Sequence, residues 1–208
     1  MSEAIQGQEI VAAIQRVSNA LKNESDYINS LDQSMGDGDT GITLNKVADA
    51  LLGYVKNNPI VDVGKFLMSA GMAINKAAPS TQGTLFATAL MRAGKLVKDK
   101  SEITAEELAL MFKVAVEEIQ QRGKAQLGDK TIVDAIHPAS EAFAEAVAED
   151  DTLSEAGNKA VVAAEAGSDS VTPLRSQIGR ASWIGERTEG KLDPGCAALV
   201  VVLKALVK

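Results

Sequence analysis

Amphipathic helical segments with clear start signals recur along most of this chain, and they restrict it to an all-helical fold. One segment carries apolar residues every three or four positions, the spacing of a single face of an α-helix: Leu44, Val47, Leu51 and Val55. Such a face has to pack against other helices, since no comparable set of alternating strand segments is present. The periodicity therefore predicts an α-helical domain.

Two helix starts are marked by capping boxes, in which an N-cap hydroxyl and a glutamate three residues later satisfy free backbone N–H groups. The first is "ITAEEL", where Thr104 and Glu107 form the box and Ile103 is placed to contact Leu108 as a hydrophobic staple. The second is "TLSE" at 152–155, ahead of an alanine-rich stretch. Both predict helices beginning at these positions.

Further helices are predicted at 8–30, 62–77, 84–98, 132–148 and 195–207. The last contains the β-branched run "LVVVL", but the preceding Asp193-Pro194 is an N-cap and first-turn signature, so a helix is favoured over a buried strand. About eight helices with short connections indicate one all-α domain over residues 1–208, with antiparallel up-and-down topology. Aromatic residues are only 3% of the chain, so small aliphatic side chains must fill the core.

Four connections contain glycine together with polar residues: "LDQSMGDGDTG", "NKAAPSTQGT", "RGKAQLGDKT" and "IGRASWIGERTEGKLDPG". They follow the first, third, fifth and seventh predicted helices. In an up-and-down arrangement alternate connections lie at the same end. All four are therefore expected to meet at one rim.

Composition excludes several classes of function. The net charge of −7 and the pI near 4.9 argue against nucleic-acid binding, which requires a basic surface. Cys196 is the only cysteine, so a disulfide framework or cysteine zinc site is excluded and a reducing cytoplasm is expected. The first residues lack the pattern of a secretory signal, and the longest apolar run is too short to span a bilayer, so we expect no membrane association.

The first connection brings three carboxylates into a glycine-rich segment. Asp32, Asp37 and Asp39 are hard oxygen donors of the kind magnesium prefers, together with water and phosphate. Calcium is the rival cation, but the glutamate that closes an EF-hand loop is missing. A solvated acidic turn and a purely structural helix cap remain as alternatives.

The second connection, "PSTQGT", precedes a helix and combines hydroxyl groups with backbone N–H groups at a helix N-terminus. That combination favours phosphate, although the same residues serve equally well as ordinary caps.

The fourth connection concentrates positive charge in an acidic protein, with Arg175, Arg180, Arg187 and Lys191. Guanidinium groups suit phosphate oxygens because they offer two parallel donors, but pairing with nearby glutamates such as Glu186 is the alternative. Trp183 is expected to pack in the core rather than stack on a base. Asp193 either contacts a ligand or caps the last helix.

Carboxylates, hydroxyls and arginines at one rim fit a magnesium–nucleotide best, because the cation offsets the charge of both aspartates and phosphates. The chain has no "GxxxxGK[ST]" loop and no "HRD" or "DFG" kinase motif. His137 is the only histidine, so a catalytic triad or histidine metal site cannot be built; it is expected on a helix surface or in the core.

Three of these connections, "LDQSMGDGDTG", "RGKAQLGDKTIVDA" and "GRASWIGERTEGKLDPG", resemble the nucleotide-binding L subunit of dihydroxyacetone kinase, in order and spacing, from about residue 9 to 205. The resemblance implies an eight-helix antiparallel barrel with ADP or ATP at one end. It also implies that Asp32, Asp37 and Asp39 bind two magnesium ions.

The same resemblance implies that Arg180 contacts the phosphates and stabilises their charge. It assigns the remaining cofactor-binding positions to the four connections: Thr40, Gly41, Ile42, Thr43, Thr81, Gln82, Gly123, Ile132, Asp193, Pro194 and Gly195. Two positions depart from the family pattern. Thr40 stands where many relatives have histidine, and "PSTQGT" replaces a "GASGPLxGT"-like run.

In this family a separate K subunit holds the short ketose, so a partner subunit is implied. The nucleotide is either consumed ATP or bound ADP rephosphorylated from a phosphohistidine subunit of the phosphotransferase system; a separate L subunit favours the second. Alternatives are a kinase subunit for another short ketose, a regulatory partner of a transcription factor, and the related fatty-acid kinase, which carries "DGDTG" in a longer chain. Homodimer formation is left open.

Overall fold

The computed structural model describes residues 4–207. Within that range the chain forms ten α-helices: α1 Gly7–Asn23, α2 Ser25–Met35, α3 Thr40–Asn57, α4 Val63–Ala77, α5 Thr81–Leu96, α6 Ala105–Gly123, α7 Val133–Ala148, α8 Leu153–Val171, α9 Ala181–Ile184 and α10 Pro194–Val207. A 3₁₀ turn at Gly185–Thr188 follows α9, and strands β1 Ile5–Gln6 and β2 Glu102–Ile103 form a short antiparallel pair.

Eight of the helices form a closed ring. Each contacts the next in the order α1, α3, α4, α5, α6, α7, α8 and α10, and α10 packs back against α1. Helix α2 lies outside this ring and packs on α3 and α10. An even number of alternating helices allows the last to return beside the first, so the predicted all-α up-and-down barrel is confirmed.

The segments with the clearest periodicity and caps are confirmed closely. Helix α4 occupies the predicted 62–77 region, both capping boxes form, and Ile103 and Leu108 pack in one apolar cluster. The C-terminal segment is a helix whose N-cap, Asp193, accepts a hydrogen bond from the N–H of Cys196 at 2.8 Å. Local sequence signals are sufficient for these elements.

Two predictions about the first third of the chain are wrong. The single helix expected at 8–30 is broken at Glu24, and α2 then continues to Met35. The first five residues of "LDQSMGDGDTG" are therefore helical, and the connection is only 36–39.

The strands β1 and β2, at two residues each, are too short for a periodic signal and were not anticipated.

The core contains many alanines, which lets helices approach closely. In α7, Pro138 has no N–H to donate to the carbonyl of Asp134, and this carbonyl instead faces Gly167 of α8. A Cβ on Gly167 would lie 2.0 Å from that oxygen. The close α7–α8 contact thus requires glycine at this position.

We expect Gly167→Ala to lower the free energy of unfolding by about 3 kcal/mol, because two helix backbones would have to separate. The matched control is Gly53→Ala in α3, where a Cβ would meet open space; it should raise stability by about 0.5–1 kcal/mol through helix propensity alone. Urea unfolding of both variants measures the difference. Equal effects of the two substitutions would contradict the close contact.

None of the helices within residues 4–207 is both long enough and apolar enough to cross a membrane.

Candidate functional site

Four helices of the ring begin at the same end of the barrel. The N-termini of α3, α5, α7 and α10 surround a cavity of about 280 Å³, whose wall includes residues from all four glycine-bearing connections. This agrees with the expectation that the four connections share one rim. Because the N-terminus of a helix carries partial positive charge, the cavity has four such ends around one space.

The acidic residues gather at one side of this cavity. Asp32 lies in the last turns of α2, while Asp37 and Asp39 lie in the connection to α3, with Asp39 as its N-cap residue. One carboxylate oxygen from each lies within 4.8 Å of those of the other two. Asp32 is buried, whereas the other two are exposed. Three converging hard oxygen donors of this kind could hold a divalent cation.

Asp32 also fixes the backbone of this connection. Its Oδ2 accepts hydrogen bonds from the N–H of Asp39 at 2.9 Å, the N–H of Thr40 at 3.0 Å and the hydroxyl of Thr40 at 2.8 Å. Gly36 must lack a side chain, because a Cβ there would lie 2.4 Å from Asp32 Oδ1. Gly38 has a φ of +73°, in the left-handed region. The glycines thus permit the carboxylates to converge.

Arg180 reaches this cluster from the fourth connection. Its guanidinium forms an ion pair with Asp37 and lies 3.6 Å from Asp39 Oδ2. The Arg180 side chain is 68% exposed, so the pair itself adds little to stability. The geometry places one cationic donor beside the carboxylates, at the open side of the cavity.

The floor of the cavity is apolar and mostly buried, with Phe86 half-buried, in contrast to this charged rim. It is formed by side chains from five helices: Met35, Leu44, Phe86, Ile119 and Ala198. An apolar floor beneath a polar rim is the usual arrangement of a small-molecule site.

Most of the sequence-predicted residues lie in the cavity wall: Asp32, Asp37, Asp39, Thr40, Thr81, Gln82, Ile132, Arg180, Asp193, Pro194 and Gly195. Gly41, Ile42, Thr43 and Gly123 do not. A Cβ on Gly41 would lie 2.0 Å from the carbonyl oxygen of Ser25, so this glycine serves the packing of α3 on α2. Ile42 is exposed, Thr43 is buried in the first turn of α3, and Gly123 ends α6.

Three other candidate residues, Arg175, Trp183 and His137, lie outside the cavity wall. Arg175 pairs with Glu186 at 2.9 Å and Glu189 at 3.1 Å, as the glutamate-pairing alternative predicted. Trp183 is 90% exposed, so the expectation that it packs in the core is wrong; α9, which carries it, contains no buried residue. His137 is on α7, where its Nδ1 lies 3.3 Å from Glu141.

Two polar residues of the third connection were missed by the sequence reasoning. Lys130 is 1% exposed and lines the cavity wall, and Asp134 is buried at the start of α7. Asp134 accepts hydrogen bonds from the N–H groups of Gly128 at 2.5 Å and Thr131 at 2.8 Å. The "TIVD" stretch has the S/T-x-x-D/E signature of a helix start, which was a usable signal for Asp134. The burial of Lys130 had no local signal.

Asp193 combines a structural role with a position in the cavity wall. It is 8% exposed and caps α10 through the Cys196 N–H. Burial raises the pKa of Asp193 from 3.8 to about 6, despite that hydrogen bond. Since the folded-state pKa exceeds the unfolded value, ionisation favours the unfolded chain, and stability falls as the pH rises from about 4 to above 6.

We therefore expect Asp193→Asn, which keeps an acceptor for the Cys196 N–H, to stabilise the protein more at high pH than at low pH. The stabilisation relative to the unmodified protein should grow by about 2 kcal/mol between pH 4.5 and pH 8. Urea unfolding at both pH values tests this. A pH-independent difference would show that this carboxyl does not titrate in the expected window.

A comparison with protein-family models matches residues 34–208 to the DAK2 domain. Among curated proteins, the chain is 29% identical over 198 residues to "PEP-dependent dihydroxyacetone kinase, ADP-binding subunit DhaL" of Escherichia coli, covering 95% of this chain and 94% of that protein. It is 33% identical over 202 residues to the ADP-binding subunit DhaL of the PEP-dependent dihydroxyacetone kinase 2 of Listeria innocua, covering 94% and 91% respectively.

Among solved structures, the fold is similar to that of the dihydroxyacetone kinase from C. freundii in complex with AMP-PNP and Mg²⁺, with a TM-score of 0.75 and 22% identity. All of this chain is covered, but it spans only 35% of the solved chain. The likeness therefore concerns the fold of one part of that larger protein.

Proposed function

The chain belongs to the DAK2 domain family, and we propose that it is the ADP-binding subunit of a dihydroxyacetone kinase, which presents a magnesium-bound nucleotide to a ketose held by a separate K subunit. The observation that carries the proposal is the convergence of three carboxylates, Arg180 and four helix N-termini on one cavity. In this proposal the chain of 208 residues binds the nucleotide as one domain and acts in the cytoplasm.

Asp32, Asp37 and Asp39 would hold the metal, as two magnesium ions. Their oxygens lie within 4.8 Å of one another, and two of the three side chains face solvent, which leaves room for water and phosphate ligands. When bound, magnesium neutralises phosphate charge and orients the transferring group. The hydrogen bonds from Thr40 and Asp39 to Asp32 keep that carboxylate fixed while the metal and nucleotide bind.

The remaining residues divide the nucleotide between rim and floor. Thr81 and Gln82 lie in the first turn of α5, where free N–H groups suit phosphate oxygens, and Arg180 supplies the cationic donor. Ile132 and the apolar floor suit the nucleoside. Asp193, Pro194 and Gly195 form the wall at the start of α10. These assignments leave the terminal phosphate at the exposed rim, where a second subunit has access.

Phosphoryl transfer is then proposed to occur at the junction with the K subunit. The exposed Arg180 and Trp183 both lie on the fourth connection, so one segment offers a phosphate contact and an uncovered aromatic side chain. In this step a ketose hydroxyl oxygen would bond to the terminal phosphorus as the P–O bond from that phosphorus to ADP breaks, and the hydroxyl proton would leave to solvent. The contribution of this chain is to position the phosphates and stabilise their charge, since phosphoryl transfer depends mainly on these effects.

The curated relatives named above are described as PEP-dependent and ADP-binding, which supports the version in which ADP remains bound. We propose that a phosphohistidine-bearing subunit of the phosphotransferase system rephosphorylates this ADP. The protein mixed with its K partner, the ketose and ATP alone should then give at most one turnover per bound nucleotide. Adding the phosphohistidine donor should restore continuous turnover.

Continuous turnover with ATP alone would contradict the bound-coenzyme version and favour the ATP-consuming kinase. Protein purified without added nucleotide provides an independent measurement. Stoichiometric ADP and magnesium in that preparation are expected if the nucleotide is a coenzyme, whereas a freely exchanging substrate would be lost.

A further inference from the structure

Lys130 is the largest fully buried side chain that the proposed function does not use. It is 1% exposed, and its Nζ donates to three backbone carbonyls: Thr172 at 2.7 Å, Leu174 at 2.9 Å and Thr188 at 2.6 Å. An ammonium group has three donors, so all of them are satisfied. A charge removed from water is costly, and here it is balanced by carbonyl dipoles rather than by a paired carboxylate.

The three carbonyls belong to the two ends of one segment. Thr172 and Leu174 directly follow α8, and Thr188 ends the 3₁₀ turn, so Lys130 joins the beginning and the end of the intervening residues 175–187. Two further hydrogen bonds join the residues at the two ends of this segment, which we call its stem. The N–H of Gly190 donates to the Thr172 carbonyl, and that of Ser176 donates to Thr188 Oγ1, each at 3.0 Å.

Lys130 is itself anchored to the barrel. The neighbouring N–H of Thr131 donates to buried Asp134 of α7, and the carbonyl of Asp129 accepts from the N–H of Gln177 at 3.0 Å. The third connection therefore provides a fixed base for the segment 175–187. These bonds therefore connect the start of α7 to a segment that begins more than 40 residues after Lys130 in sequence.

Within the segment 175–187, Ser176 is buried and Ile178 packs against the core, but the part that carries Arg180 and Trp183 is poorly packed. Its helix α9 has four residues, none of them buried, and is bracketed by Gly179 and Gly185 with φ values of +72° and +66°. Without a core contact, α9 depends on its stem for a defined position. The two functional side chains on the segment, Arg180 and Trp183, depend on it equally.

We propose that Lys130 is a positioning residue, which clasps the stem of segment 175–187 and thereby holds Arg180 in register with Asp37 and Asp39. The consequence for nucleotide affinity rests on the proposed function; the clasp itself does not. Burial lowers the pKa of the Lys130 ammonium, while the nearby Asp193 opposes that effect. Replacing the ammonium by a neutral group should loosen the segment without opening the barrel.

The test compares Lys130→Met and the milder Lys130→Gln, which keeps amide donors, with the unmodified protein in the absence of nucleotide. Trp183 is the only tryptophan of the chain, so its steady-state fluorescence anisotropy reports directly on the segment. Anisotropy should fall, and trypsin cleavage after Arg175, Arg180 and Arg187 should accelerate at least tenfold in Lys130→Met. Lys130→Gln should be intermediate, and it decides the matter alone if the methionine variant does not fold.

Val97→Ala, in the separate α4–α5 core cluster, provides a control of general destabilisation. At temperatures where Val97→Ala and the unmodified protein both remain folded, Val97→Ala should leave the Trp183 anisotropy and the rate of cleavage in the segment unchanged. The proposal is overturned if folded Lys130 variants behave like the unmodified protein, or if Val97→Ala loosens the segment equally.

A second readout separates the clasp from the proposed function. The dissociation constant of ADP measured with Mg²⁺ should rise at least tenfold in Lys130→Met, whereas that of Mg²⁺ alone should change less, because the three aspartates lie on α2 and its connection to α3. A loosened segment with unchanged ADP affinity would support the clasp and contradict the assignment of Arg180 to the nucleotide.

Discussion

Replacing Asp37 or Asp39 with asparagine is expected to reduce kinase activity about a thousandfold while leaving the fold at least as stable. Loss of one metal ligand removes several kcal/mol of transition-state stabilisation, and each 1.4 kcal/mol is a factor of ten in rate. The stability of the fold should not suffer, because the side chains of both residues are exposed. Their negative charges lie close together and repel each other, and the exposed ion pairs with Arg180 add little to stability. Activity with the K partner and urea unfolding measure the two effects.

Asp32 provides the contrast within the same cluster. Because its carboxylate is buried and accepts three hydrogen bonds, Asp32→Asn should lose both activity and stability. Asp49→Asn, an exposed change of the same chemistry farther along α3, is the matched control and should retain activity.

The same experiment tests the rival interpretation, in which the chain is a nucleotide-binding partner of a transcription factor. Unchanged ADP binding and unchanged turnover in Asp37→Asn and Asp39→Asn would contradict the metal site, whereas absence of turnover in the unmodified protein with its K partner would contradict the kinase role. A protein-binding role without chemistry would survive both substitutions.

The fold was predictable because its signals are local. The apolar stripe from Leu44 to Val55 and the caps at Thr104 and Thr152 each specify a helix within a few residues. Once the helices alternate in direction, the side of the barrel on which each connection lies follows from its order. Proximity of the first and fourth connections, and hence of Asp37 and Arg180, could be inferred in this way despite their separation in sequence.

The parts that were missed depend on packing between distant segments. The break at Glu24 is marked by neither glycine nor proline, so the register that makes Asp32 helical had no sequence signal. Trp183 has an apolar side chain, and only the short, unpacked α9 leaves it exposed. The burial of Lys130 depends on carbonyls 42 to 58 residues away, which local periodicity cannot reveal.

Arg180→Met is expected to have two effects of opposite sign. Turnover with the K partner should fall by about 10²–10³-fold, the usual result of removing one donor that stabilises charge in the transition state. Mg²⁺ alone should bind slightly more tightly, because the competing ion pair with Asp37 and Asp39 is lost. This gain should be no more than about fivefold, since exposed ion pairs contribute at most about 1 kcal/mol.

Two further variants make this result specific. Arg180→Lys keeps the charge but not the two parallel donors, so it should recover only part of the turnover. Arg187→Met changes an exposed arginine of the same segment that lies outside the cavity wall, and it should leave both measurements unchanged. If Arg180→Met and Arg187→Met reduce turnover equally, the loss of turnover is caused by the reduced positive charge of the segment and not by the position of the Arg180 guanidinium. A loss confined to Arg180, together with tighter Mg²⁺ binding, requires that its guanidinium face the carboxylates and the phosphates from the same position.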